Sequence, residues 1–100
     1  MANLKSLSLL RNDPDEAKKL LFQAEQGDVD AQYATGLIYA EGRGFKQDEA
    51  KAFFWLTLAQ QSEDEDAQLL CRVVGANMSE EDYQRALTLL KDYRTGKFPD

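Results

Sequence analysis

The sequence predicts an all-α fold: a short, right-handed α/α superhelix of about five antiparallel helices. Three observations lead there. Ala, Leu, Lys, Glu and Gln dominate, with only two prolines and few β-branched residues, a composition that favours helix. The punctuation is helical throughout, with Asp or Ser where helices would start and Gly where they would stop. A helix-pair pattern also recurs along the chain, as it does in solenoids.

Asp13-Pro14-Asp15-Glu16 supplies an N-cap, a proline in the first turn and the acid of a capping box. This predicts a helix running to about Gln26 and stopping at Gly27. Asp30 is expected to restart the chain into a second helix reaching Glu41, with Gly42 as a left-handed cap. After the loop Arg43–Gln47, Asp48 caps a third helix ending near Gln61. A fourth is expected from about Glu65 to near Gly75. Ser79 caps a fifth, with Glu80, Glu81 and Asp82 in its first turn and Lys91 and Arg94 in its last, both favoured by the helix dipole. Leu4, Leu7 and Leu10 suggest an additional N-terminal turn or helix.

The third helix is apolar nearly all round, through Ala50, Ala52, Phe53, Phe54, Trp55, Leu56, Leu58 and Ala59. Such a helix must be covered on several sides, so it is expected at the centre. The fifth carries one stripe, Tyr83, Ala86, Leu87, Leu90 and Tyr93, and suits an end of the fold. Met78 and Tyr83 occupy the positions of a hydrophobic staple.

Self-comparison exposes the repeat. Asp13, Ala17, Leu20, Ala24 and Gly27 align with Asp48, Ala52, Trp55, Ala59 and Ser62 at a constant offset of 35. Asp30-Ala31-Gln32 then matches Asp66-Ala67-Gln68 at an offset of 36. One full unit spans about 30–62, between half-units. The organisation is one domain, 1–100: an extension at 1–12, repeat units over 13–75, and a capping helix and tail over 76–100.

The run Ala31-x4-Gly36-x2-Tyr39-x2-Gly42-x-Gly44-Phe45-x2-Asp48-x3-Ala52-x2-Trp55-x3-Ala59 resembles the Sel-one-like repeat, a relative of the tetratricopeptide repeat. Thr35 stands where that family usually has Leu, Phe45 where it prefers Val, and Gln60 where a second Ala is common. Residues 1–12 lie outside the resemblance. Its implication is that YAEGRGFKQDEAKAFFW, residues 39–55, is a close helix–helix joint. Ala31, Gly36, Ala52 and Ala59 would let the backbones approach, and Tyr39 and Trp55 would fill the remaining gap. A phosphate loop is the weaker reading: no strand precedes the paired glycines and no Lys-Ser/Thr follows them.

Composition narrows function. Twelve basic against eighteen acidic residues give a net charge of −6, which disfavours nucleic acid. Histidine is absent, removing the usual general base and the commonest metal ligand. Cys71 is the lone cysteine and reads as a buried, inert thiol. The acidic run Glu63–Asp66 lacks the spaced ligands of a calcium loop, so no metal or cofactor is expected. No catalytic constellation emerges, and an enzyme is not expected. Some secreted, cysteine-rich members of the family are linked to β-lactams, but their paired cysteines are missing here. No run approaches the roughly 20 apolar residues of a membrane span, and the N-terminus lacks a signal-peptide pattern. A cytoplasmic location is expected.

The resemblance implies a protein-interaction module. Tyr33, Leu37, Ala40 and Glu41 lie opposite the consensus stripe, with Leu69 and Val73 as counterparts one unit later. Of these, Tyr33, Leu37, Glu41, Leu69 and Val73 are the expected partner-binding residues of a concave face. Alternatively, Tyr33 and Leu37 pack against Leu69 and Val73 between repeats. An acidic rim of Glu41, Glu63 and Asp64 would favour a basic protein or peptide. The rival reading is a self-assembling homodimer pairing through Leu4, Leu7 and Leu10.

Overall fold

The structure, a computed structural model, describes residues 13–60 and 65–99. The N-terminal helix expected from Leu4, Leu7 and Leu10 lies outside the described residues, as do Glu63 and Asp64. Five helices follow one another: α1 (Pro14–Glu25), α2 (Val29–Glu41), α3 (Glu49–Ala59), α4 (Glu65–Asn77) and α5 (Glu80–Arg94). No strand occurs among the described residues. The fold is the all-α helical repeat that the sequence predicts.

The caps show why these boundaries arise. Asp13 Oδ1 accepts from the amides of Asp15 and Glu16, at 3.0 and 3.4 Å. Asp48 Oδ1 accepts from Lys51 N at 3.1 Å, and Ser79 Oγ from Asp82 N at 3.1 Å. Gly42 adopts the left-handed conformation, φ 70°, that closes α2.

Two boundaries differ from expectation. α2 starts after Asp28, not Asp30: Asp28 Oδ1 accepts from Ala31 N at 3.0 Å. The reason lies in how α1 ends. Gly27 N donates to Ala24 O and Asp28 N to Gln23 O, the paired bonds of a Schellman turn. Asp28 thus closes one helix and caps the next, leaving Asp30 in the first turn. α4 runs through Gly75 to Asn77. That glycine serves helix packing there, since an added Cβ would lie 3.1 Å from Phe53 Cε1.

α3 is the central element, packed against α2, α4 and α5. Ala50, Ala52, Phe54, Trp55, Leu56 and Ala59 are fully buried on it. Its tightest neighbour is α2. A Cβ on Gly36 would sit 2.6 Å from Leu56 Cγ and 3.3 Å from Ala52 O, so only hydrogen fits between these helices. Ala31 is also buried, and Thr35, in the usual leucine position, is completely so. Gly44 has φ +91° and an added Cβ would lie 2.7 Å from Asp13 O. The glycine pair therefore turns the chain and brings its loop against the start of α1.

Trp55 is fully buried, meeting Phe54 edge-on at 5.0 Å and stacking on Phe98 at 5.7 Å with planes 9° apart. Phe98 follows a second Schellman turn: Gly96 N donates to Tyr93 O and Lys97 N to Asp92 O. On α5, Ala86 is buried and Leu89 and Leu90 are partly covered, whereas Leu87 is 40% exposed, so the buried stripe is narrower than expected. Tyr83 meets Phe53 edge-on at 6.1 Å.

Candidate functional site

The five residues expected on a partner-binding face do not share one environment. Tyr33 is only 4% exposed. This corrects the expectation of an open groove at that position. From Ala31 to Gly36 every residue of α2 is buried, because α1 covers one side and α3 another. The helix has no wet face there to present. Gln32 reinforces the α1 contact, its Nε2 donating to Ala24 O at 3.2 Å. Leu37, one turn after Tyr33, is partly buried against the core. Glu41 is exposed and pairs with Arg43 Nε at 3.0 Å.

Leu69 and Val73 are 56% and 49% exposed. They lie one turn apart on α4 and so share a face. The alternative expectation was that Tyr33 and Leu37 pack against Leu69 and Val73; Tyr33 is buried and Leu37 partly so, while Leu69 and Val73 keep about half their surface in water. The buried side of α4 is carried instead by Cys71 and Val74. Burial pushes the Cys71 thiol above its usual pKa, opposed by the Thr57 hydroxyl 3.7 Å from Sγ. A protonated thiol is a weak nucleophile. The inert reading of Cys71 fits.

A second region was not legible in the sequence. A groove of about 810 Å³ opens where α1, the loop after α2 and the first turns of α5 converge. Tyr39 and Phe45 stack in it, centroids 5.0 Å apart and planes at 23°. Lys51 Nζ lies 5.5 Å from the Tyr39 centroid, within cation–π range. Asp48 N donates to Tyr39 O at 3.0 Å and Gln47 Nε2 to Ala40 O at 2.9 Å, which fixes the loop. Burial, followed by the carboxylates of Asp48 and Glu25, raises the Tyr39 pKa, so its hydroxyl stays neutral.

Arg85 closes the groove. Its Nη2 donates to Asp48 Oδ2 at 2.9 Å and its Nη1 to Asp82 Oδ1 at 3.0 Å. Asp48 consequently caps α3 with one oxygen and holds α5 with the other. Lys18 and Lys46 also line this groove, and sequence spacing gave no sign of them. Among the described residues, no cluster of three or more His, Cys, Asp or Glu is placed to hold a metal ion. No described helix is long and apolar enough to cross a membrane.

Stacked helix pairs with one central buried helix and half-exposed apolar side chains on an outer one define a helical-repeat protein. A family model described as Sel1 repeat matches residues 1–28 and 29–59. The chain belongs to the Sel1 repeat family. The second match covers α2 and α3, close to the unit expected from the sequence. The first takes in residues 1–12, which the sequence reading left outside. No curated protein and no solved structure matches the chain. Sel1 repeats are non-catalytic and generally mediate protein–protein interaction.

Proposed function

We propose that the chain is a non-enzymatic adaptor that binds a peptide or a single helix of a partner protein on the side formed by α2 and α4. The exposure of Leu69 and Val73 is the observation that carries this reading. Two neighbouring aliphatic side chains, each about half in water, gain by being covered, and Leu37 is a counterpart of theirs in the preceding unit of the sequence repeat. Tyr33, buried in the core, contributes only by fixing α2. Residues 76–100 act as the cap of the array. A preference for a basic partner rests chiefly on Glu63 and Asp64, because Arg43 already neutralises Glu41.

The test is a double variant, Leu69→Asp with Val73→Asp. Both positions are exposed, so helical circular dichroism should be retained. Affinity for the protein captured by the wild-type chain should fall at least about tenfold, or about 1.4 kcal/mol. Undiminished affinity would remove this face from the interaction. The basic preference is checked separately by raising salt, which should weaken binding through screening.

Self-assembly is supported by one specific observation. Phe22 on α1 is 62% exposed, more than any other large apolar side chain among the described residues. A chain that sediments as a monomer at micromolar concentration excludes this second reading.

A further inference from the structure

We propose that the pocket formed by Phe54, Trp55 and Tyr93 is an exchangeable docking site for an aromatic side chain. The chain's own Phe98 fills it here, and an extended Phe-Pro segment of a partner protein takes its place. None of these residues belongs to the Leu37, Leu69 and Val73 side of the molecule, so the inference stands apart from the adaptor reading.

Phe98 touches two rings. It stacks on Trp55 at 5.7 Å and meets Tyr93 at 5.6 Å with planes tilted by 52°. Phe54 completes the cluster, edge-on to Trp55 at 5.0 Å and to Tyr93 at 5.7 Å. Phe54 and Trp55 are fully buried on α3 and form the floor. Tyr93 and Phe98 are 40% and 37% exposed, so the mouth of the pocket opens to solvent. Stacked and edge-on ring pairs add to the gain from burial, which favours an aromatic occupant over an aliphatic one.

The present occupant is lightly held. Beyond Lys97 N, which donates to Asp92 O at 3.1 Å, no hydrogen bond or ion pair ties residues 97–99 to the rest of the described chain. The turn that delivers them rests on Gly96 at φ +94°, where an added Cβ would meet nothing within 4 Å. Nothing braces the turn from that side. Pro99 is partly buried and keeps Phe98 extended. The tail thus offers one ring on an extended backbone, and a partner segment of the same chemistry fits the same space. The tail also leaves a group unmet, since Trp55 Nε1 is buried without an acceptor. An incoming segment whose carbonyl reaches that donor gains a bond that the tail does not make.

The test uses the full ¹⁵N-labelled chain and the acetylated probe Thr-Gly-Lys-Phe-Pro-Asp, the sequence of residues 95–100. Phe98→Ala vacates the pocket, and the probe should bind this variant with saturable shifts of the Trp55 indole N–H and of the Phe54 and Tyr93 amides. Wild type should bind it at least about fivefold more weakly, because a tethered ring competes at an effective concentration on the order of millimolar. Gly96→Ala strains the turn without touching the pocket and should fall between the two. A probe with Ala in place of Phe should not bind. Equal affinities for wild type, Gly96→Ala and Phe98→Ala would overturn the proposal. So would binding of the Ala probe, or no saturable binding of the Phe probe to either variant at millimolar concentration. Wild-type shifts that move with protein concentration would give the pocket to a second copy's tail and remove the partner from it. Leu69→Asp with Val73→Asp should leave probe binding unchanged; failure at this pocket leaves the adaptor reading intact.

Discussion

The α2–α3 pair and the α4–α5 pair are made from the same kinds of residue and put to opposite uses. In the first, Gly36 sits where an added methyl would come within 2.6 Å of Leu56 Cγ, and both helices are buried over most of their surface. In the second, the close approach is to α3 instead: a methyl on Gly75 would come within 3.1 Å of one edge of the Phe53 ring. Leu69, Val73, Tyr83 and Leu87 are left at 40% exposure or more. Where the repeat signature is complete, the helices interlock and none of their large apolar side chains is left exposed. Where it lapses, the helices persist through caps and propensity, and apolar side chains stay available to another molecule.

This contrast can be tested. The largest effect is expected for Trp55→Ala, which opens a cavity in the central helix and should cost ~3–5 kcal/mol. Chemical denaturation that found a loss below ~1 kcal/mol would contradict the central role of α3. Next comes Gly36→Ala, where overpacking against Leu56 should cost about 1–3 kcal/mol by the same measurement. Stability should fall at alkaline pH. Cys71 and Tyr39 both have folded pKa values raised by burial, so the native state holds their protons more tightly than the unfolded chain does. Their contribution is complete below the ordinary values, about 8.5 and 10, and is lost as pH rises through the folded ones. A melting temperature that climbs between pH 9 and 11 would show the sign to be wrong. The smallest change is expected for Gly75→Ala. Helix propensity gains up to about 1 kcal/mol, offset by a small displacement of the partly buried Phe53 ring. If Gly75→Ala costs as much as Gly36→Ala, the two joints are equally tight and the contrast fails.

What could be read from sequence was local. Asp13, Asp48 and Ser79 announce their helices because a cap is formed within three residues. Gly36 was readable because the pattern around it recurs. Asp30 was expected to open α2 where Asp28 does so: an aspartate can cap at either position, and the decision belongs to the turn at Gly27. Tyr33 was left open between a groove and the core, because periodicity gives a helix its faces without saying how many neighbours it has. α2 has one on either side. The groove was beyond reach for a related reason, since Arg85 and Asp48 meet across 37 positions of chain. Nothing in the spacing of Lys18, Lys46 and Lys51 signals that they converge.

The stacking of Phe98 on Trp55 gives the molecule a reporter of its own. Trp55 is the chain's sole tryptophan, so its emission comes from one place, beneath a ring carried by the segment after α5. Lifting that segment would admit water to the indole and shift the emission to longer wavelength, while the helical signal stayed constant. Undocking of the last residues can therefore be followed optically, without a label and apart from global unfolding.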